Sequence, residues 1–176
     1  MRYGEVNETS HSSYDRLDEY FGKQSCMVEH IPLLPKCLDW QWALETLDTT
    51  TQTNNKQVNA LPNGGFVVNS PSVDTQLKPN PFTFFESKLR TYKQVGQVLR
   101  NQIYIALSVK SSLFSKHTDL GQNSFVWQCQ GKTAVEVGDA YGVLEPGDVL
   151  YLHNETPHCF TSMGPRFSIT FSLEDE

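Results

Sequence analysis

The sequence of 176 residues has no apolar run that approaches the roughly 20 residues needed to cross a bilayer. Cysteine is scarce, and the four that occur form no CxxC pair: Cys26, Cys37, Cys129 and Cys159. The start of the chain also lacks the pattern of a secretory leader. We therefore expect reduced thiols in a cytoplasmic protein, without a membrane partner, a disulfide framework or a zinc knuckle.

An excess of positive charge is missing as well. Lysine and arginine number 14 against 20 aspartates and glutamates, which gives a net charge of -6. An acidic chain is repelled by phosphate backbones, so this balance disfavours nucleic acid as a partner. The length fits about one domain with a core of its own.

Helical signals are confined to the first 100 residues. Residues 1–25 are polar without a sustained period, which predicts an extension. Apolar spacing over 38–47 predicts a short helix with Asp39 as its cap, and the polar run 49–59 predicts a surface connection that leads into a turn. A second helix is predicted after Asn80, on the helical spacing of Phe85, Leu89, Tyr92, Val95 and Leu99.

After Arg100 the chain alternates between apolar and polar residues. The pattern predicts six strands separated by tight turns: 103–109, 124–130, 133–137, 148–152, 158–162 and 166–173. Short strands at this spacing favour an antiparallel sandwich or barrel. We expect a mainly β protein that forms one structural domain overall, with a barrel core over 101–176 and helices of an extension over 1–100 packed on it.

His117 and Asp119 stand two residues apart at the start of one predicted strand. Residues i and i+2 of an extended chain project from the same face, so an imidazole and a carboxylate would point together. His158 opens a later strand that could lie opposite them. Two histidines and one carboxylate form the facial triad of Fe(II) oxygenases. The alternative is a strand-end histidine that is hydrogen-bonded to a surface aspartate.

Four motifs in order carry a resemblance to a known family: HTD at 117–119, QNSFVWQCQGK, PGDVLYLHNETPH and MGPRFSITFSL. Their order resembles the JmjC-type cupins, including the asparaginyl hydroxylase and ribosomal oxygenase branches, over about the last 75 residues. The resemblance implies a cupin/JmjC-like double-stranded β-helix (a jelly-roll barrel) with N-terminal helices. It also implies that His117, Asp119 and His158 are catalytic ligands of Fe(II), with 2-oxoglutarate as co-substrate.

The family supplies a lysine for the distal carboxylate of 2-oxoglutarate. Counted from Gln128 the position falls on Thr133, and counted from His117 it falls on Lys132. A one-residue offset turns a strand side chain to the opposite face, and a bulge would restore it.

The resemblance also implies further co-substrate contacts. Asn123 matches an asparagine that contacts 2-oxoglutarate in some members, and Ser172 stands where those members carry a second one. Arg166 is an alternative carboxylate anchor if its face of the last strand is interior, whereas the polar face of an antiparallel sheet commonly meets water. Tyr104 could point inward too. His153 is an extra polar group at the pocket rim, or simply exposed.

The function implied is that of an Fe(II)- and 2-oxoglutarate-dependent dioxygenase, a hydroxylase of a protein side chain, a peptide or a small molecule. A metal-binding cupin without oxygenase activity, which acts as an isomerase or binds a small molecule, is the alternative. A noncatalytic interaction barrel is the third hypothesis. The chain has little room for a substrate domain, so a homodimer would be one way to complete the site.

Overall fold

The computed structural model describes residues 27–30, 38–69, 98–108, 112 and 114–174. It contains one α-helix in this part of the chain, α1 (Trp40–Asn54), which continues into a 3₁₀ turn, Asn55–Gln57. The strands are β1 (Met27–His30), β2 (Val58–Leu61), β3 (Gly65–Asn69), β4 (Val98–Ala106), β5 (Gln122–Gln130), β6 (Thr133–Val137), β7 (Ala140–Leu144), β8 (Asp148–Leu152), β9 (His158–Ser162) and β10 (Arg166–Glu174).

The strands form two antiparallel sheets. One sheet has seven strands in the order β1-β8-β5-β10-β4-β3-β2, and the other has three in the order β7-β6-β9. The segment before β5 runs beside β9, where it makes isolated bridges from Ser112 to Thr161 and from His117 to His158. Strand order and pairing are those of a double-stranded β-helix, so the predicted mainly β jelly-roll fold is confirmed.

Successive side chains of β10 point to opposite faces of the seven-stranded sheet, one apolar and one polar. Its odd-numbered side chains, from Phe167 to Leu173, join a core cluster that also includes Trp42 and Ala43 of α1. Trp40 packs edge-on against Phe167, with ring centroids 5.4 Å apart. The even-numbered side chains turn to the barrel interior. The helix therefore covers the outer face of the seven-stranded sheet, and the cavity lies on the inner face.

Helix α1 begins as predicted and ends later. The backbone N–H of Trp42 donates to Asp39 Oδ1 at 2.9 Å, which confirms the predicted cap. The helix continues to Asn54, so the prediction of a surface connection from residue 49 is wrong over this stretch. Threonine hydroxyls donate to carbonyls four residues back, for example Thr53 to Thr49 at 2.8 Å. These bonds give the hydroxyls partners within the helix but do not stabilise it.

Five of the six predicted strands match β5, β6, β8, β9 and β10 closely, and the sixth lies within β4 up to residue 106. The helix predicted after Asn80 falls largely outside the described residues, but Leu99, which was assigned to it, belongs to β4. Four strands were not predicted: β1, β2, β3 and β7. Three of these lie in the first 100 residues and extend the large sheet. No helix among the described residues is long and apolar enough to span a membrane.

Candidate metal centre

The backbone brings the two predicted histidines side by side. The N–H of His117 donates to the carbonyl of His158 at 3.0 Å, and the N–H of His158 donates back to the carbonyl of His117 at 2.8 Å. Because the two residues are directly paired, their side chains leave the backbone on the same side. The ring centroids lie 4.5 Å apart.

Each imidazole is held by a backbone carbonyl. His117 Nδ1 lies 2.8 Å from the carbonyl oxygen of Ser115, and His158 Nδ1 lies 2.9 Å from that of Thr156. A carbonyl oxygen only accepts hydrogen bonds, so each Nδ1 carries the proton. In the neutral form of each ring, Nε2 then has a free lone pair, and this is the form in which histidine binds a metal.

Asp119 faces both lone pairs. Its Oδ1 lies 3.8 Å from His117 Nε2, and its Oδ2 lies 3.7 Å from His158 Nε2. One ligand atom from each residue falls within 4.8 Å of the others. Two donors that bind one cation at about 2.1 Å each can be separated by at most about 4.2 Å, and the two histidine–aspartate distances satisfy this limit. Two imidazoles and one carboxylate suit a divalent metal ion in their chemistry, and both histidine–aspartate pairs are close enough to share one.

Burial keeps His158 neutral. The side chain is 4% exposed, whereas those of His117 and Asp119 are 38% and 40% exposed. Desolvation lowers the pKa of His158, the Thr156 carbonyl and Asp119 act in the opposite direction, and His117 lowers the pKa further. A lowered histidine pKa favours the neutral imidazole that a metal needs.

The three residues lie at one side of a cavity of about 330 Å³ between the sheets. This volume suits a small-molecule ligand. The other lining residues come mainly from β4, β5 and β10: Gln102, Tyr104, Phe114, Gln122, Ser124, Val126, Leu152, Phe160, Arg166, Ser168, Thr170 and Ser172. His153 is not among them. Its Nδ1 donates to the carbonyl of Asn154 at 2.9 Å.

Among the described residues, Arg166 is the one lysine or arginine that lines this cavity, and it is 2% exposed. Its Nε donates to Ser162 Oγ and its Nη1 donates to Ser168 Oγ, both at 3.1 Å. No carboxylate within the described ranges forms an ion pair with it. Burial lowers its pKa to about 10, and Tyr104 acts against this shift, so the guanidinium remains charged at neutral pH. The expectation that this face of β10 meets water is therefore wrong.

Lys132 and Thr133 do not line the cavity. Lys132 lies in the turn after β5, where its Nζ contacts Glu145 Oε1 at 2.6 Å on the outside of the protein. Thr133 is buried, and its hydroxyl donates to Gln128 Oε1 at 2.8 Å. Neither residue at the position of the family's lysine is therefore placed to contact a ligand in the cavity.

Ser172 and Asn123 lie on opposite faces of the large sheet. Ser172 lines the cavity, and its Oγ is 3.3 Å from Ser124 Oγ. Asn123 points away from the cavity, on the same face of β5 as Phe125 and Trp127 of the outer core. Tyr104 does point inward, where its hydroxyl donates to Gln102 Oε1 at 2.8 Å.

Several lining residues were missed by sequence reasoning: Gln102, Phe114, Gln122 and Ser124. The strand period carried a usable signal for three of them. Gln102 shares a face of β4 with Tyr104, and Gln122 and Ser124 share a face of β5. Phe114 precedes β5 outside any regular strand, and no periodic signal could have found it.

Two facing antiparallel sheets around a polar cavity are the architecture of the cupin and JmjC-like barrels. No family model matches the sequence, and no curated protein matches it. Solved structures do match its fold. The Escherichia coli ribosomal oxygenase YcfD in complex with cobalt and 2-oxoglutarate has a TM-score of 0.68 at 13% identity, over 93% of this chain and 52% of that one.

Two further structures of the same protein agree. An X-ray structure of E. coli YcfD has a TM-score of 0.67 at 12% identity, over 93% of this chain and 53% of that one. A complex of YcfD with cobalt and succinic acid has a TM-score of 0.65 at 13% identity, over 93% of this chain and 52% of that one. The likeness shows a shared fold, and the chain spans about half the length of these structures.

Proposed function

We propose that the protein is a metal-dependent oxygenase that uses Fe(II) and 2-oxoglutarate to hydroxylate a substrate. The observation that carries the proposal is the pairing of two features in one cavity. At its side stand three metal-ligand groups within 4.8 Å of one another. In its lining lies Arg166, a buried cation that has no acidic partner among the described residues.

His117, Asp119 and His158 would hold the metal ion. Three protein ligands on one side leave coordination positions open for the co-substrate and dioxygen. When bound, Fe(II) and 2-oxoglutarate would activate dioxygen: one oxygen atom would enter a carbon–hydrogen bond of the substrate, and the other would enter the succinate formed from 2-oxoglutarate with loss of carbon dioxide.

Arg166 would bind the distal carboxylate of 2-oxoglutarate. An unpaired cation in a low-dielectric interior is costly, so an anion that reaches it gains an interaction that water cannot replace. A guanidinium also offers parallel donors that match a carboxylate. Serine hydroxyls already fix its orientation through Nε and Nη1. The apolar side chains of Val126, Leu152 and Phe160 would limit water in the same space.

The structurally similar proteins support a divalent metal and 2-oxoglutarate as the ligands of this cavity. YcfD is described as a ribosomal oxygenase, and its structures hold cobalt with 2-oxoglutarate or with succinic acid. A divalent metal and a dicarboxylate therefore occupy a barrel of the same fold. The substrate of the present protein remains a protein side chain, a peptide or a small molecule.

Anaerobic titration tests the proposal. Fe(II) is added to the apoprotein and 2-oxoglutarate follows, while the visible charge-transfer band of the chelate is recorded. We expect the band in the wild type and its loss in His117→Ala and Asp119→Ala, since each variant removes a ligand. His30→Ala is the matched control, because this exposed histidine lies outside the cavity and outside the 153–157 turn.

The outcomes separate the alternatives. Metal uptake without a band would contradict the use of 2-oxoglutarate and favour a metal-binding cupin without oxygenase activity, an alternative to which the outward position of Lys132 lends support. Absence of metal uptake would favour a noncatalytic barrel.

A further inference from the structure

Asn123 turns away from the cavity, yet it contacts the turn that leads to His158. It is 2% exposed. Its Oδ1 accepts two hydrogen bonds, from the hydroxyl of Tyr151 and from the backbone N–H of Asn154, both at 3.0 Å. One oxygen atom thus ties the end of β8 to the turn that follows it.

The turn of residues 153–157 also contacts two members of the triad. The carbonyl of Thr156 accepts the hydrogen bond from His158 Nδ1 at 2.9 Å. The N–H of Glu155 donates to the backbone carbonyl of Asp119 at 3.4 Å. A displacement of the turn would therefore move the partner that sets the tautomer and tilt of the His158 ring.

The turn does not hold its shape by backbone preference alone. Glu155 has a φ of +60°, and it is the one non-glycine residue with positive φ in the described part of the chain. A side chain in this left-handed region costs roughly 1–2 kcal/mol, so neighbouring contacts must maintain it. The hydrogen bond from Asn154 to Asn123 is next to the strained residue.

We propose that Asn123 is a positioning residue for the metal centre: through Asn154 it holds the turn whose Thr156 carbonyl orients His158. The inference rests on the proposed metal-binding role of the triad. It replaces the sequence-based expectation that Asn123 contacts the co-substrate itself. Groups that orient a metal-binding histidine typically alter metal affinity by 10–100-fold.

The test is a titration with Co(II), followed by visible absorption, which reports both affinity and ligand geometry. We expect Asn123→Ala to weaken Co(II) binding about tenfold, at the low end of that range because Asn123 acts through the turn. Asn123→Asp keeps an acceptor oxygen in place and should retain most of the affinity. Tyr151→Phe leaves the bond to Asn154 and should have a smaller effect.

Val68→Ala is the control for a general loss of stability. Val68 is fully buried in the outer core on β3, which lies three strands from β5 in the large sheet. We expect this variant to melt at a lower temperature, because it leaves a cavity in the core, and to bind Co(II) as the wild type does. An equal loss of Co(II) affinity in Val68→Ala and Asn123→Ala would overturn the inference, because the effect would then follow stability alone.

The remaining outcomes are distinct. Co(II) uptake by the wild type together with unchanged affinity and spectrum in Asn123→Ala overturns the positioning role alone. A wild type that takes up no Co(II) overturns the proposed function, and the inference falls with it. If Asn123→Ala does not fold, Asn123→Ser replaces it, since its shorter side chain withdraws the acceptor from Asn154. Wild-type affinity in that variant overturns the inference.

Discussion

The two faces of β10 are both buried, but one packs in the outer core and the other lines the cavity. The face towards α1 consists of apolar side chains in the outer core: Phe167, Ile169, Phe171 and Leu173. The face towards the barrel interior carries only polar ones, which line the cavity: Arg166, Ser168, Thr170 and Ser172. Burial alone therefore does not separate core from site. A buried polar face marks the site, because it lacks the packing that repays its desolvation.

The largest effect should come from the apolar face. Phe171→Ala removes a fully buried ring from the outer core, and we expect a loss of about 3–5 kcal/mol in the free energy of unfolding. Metal affinity of the protein that remains folded should be unchanged. Ser172→Ala, the neighbour on the other face, should cost no more than about 1 kcal/mol. Denaturant unfolding measures both, and similar losses would contradict the separation of the faces.

On the polar face the strongest effect should be on ligand binding. Arg166→Met removes the cation, so we expect at least about 30-fold weaker binding of 2-oxoglutarate to the Co(II)-loaded protein, since removal of one partner of a buried charge pair costs about 2–5 kcal/mol. Co(II) affinity should stay near that of the wild type. Without ligand, the variant should be as stable as the wild type or more so, because an unpaired buried charge is gone.

Calorimetric titration and thermal melting check these outcomes. Arg166→Lys keeps the charge but not the planar fork, so an intermediate affinity is expected. A marked loss of stability in Arg166→Met together with unchanged affinity for 2-oxoglutarate would show that Arg166 serves the fold rather than the ligand.

Lys132→Ala should have the smallest effect. Its ammonium contacts Glu145 at the surface, where both side chains are about half exposed. Such pairs contribute about 0–1 kcal/mol, and the cavity is not involved. We expect unchanged affinity for 2-oxoglutarate. A tenfold loss in the same calorimetric titration would instead identify Lys132 as the anchor that the family resemblance implies.

Much of the barrel could be predicted from local sequence patterns. Alternation and turn residues define β5, β6, β8, β9 and β10, and the order of motifs singled out the three residues that the structure brings within 4.8 Å of one another. Their role as metal ligands stays a prediction. β7 was not predicted because Gly142 interrupts its short apolar pattern, and glycine is depleted in strands.

The unpredicted features depend on contacts between distant parts of the chain. Which face of β10 is interior is decided by α1, which lies more than a hundred residues earlier in the sequence and covers the apolar side. The late end of α1 has a similar cause. Its last turns carry several threonines, of which Thr50 is fully buried, so tertiary packing overrides their weak helix propensity.

The most direct test is a crystal structure of the protein loaded with Co(II) and 2-oxoglutarate without oxygen, with diffraction recorded at the cobalt absorption edge. We predict one anomalous peak within about 2.3 Å of His117 Nε2, His158 Nε2 and an Asp119 carboxylate oxygen, and the distal carboxylate of 2-oxoglutarate on Arg166. A peak at another site, such as His30 with Asp148, and none between the three ligand residues would contradict the account.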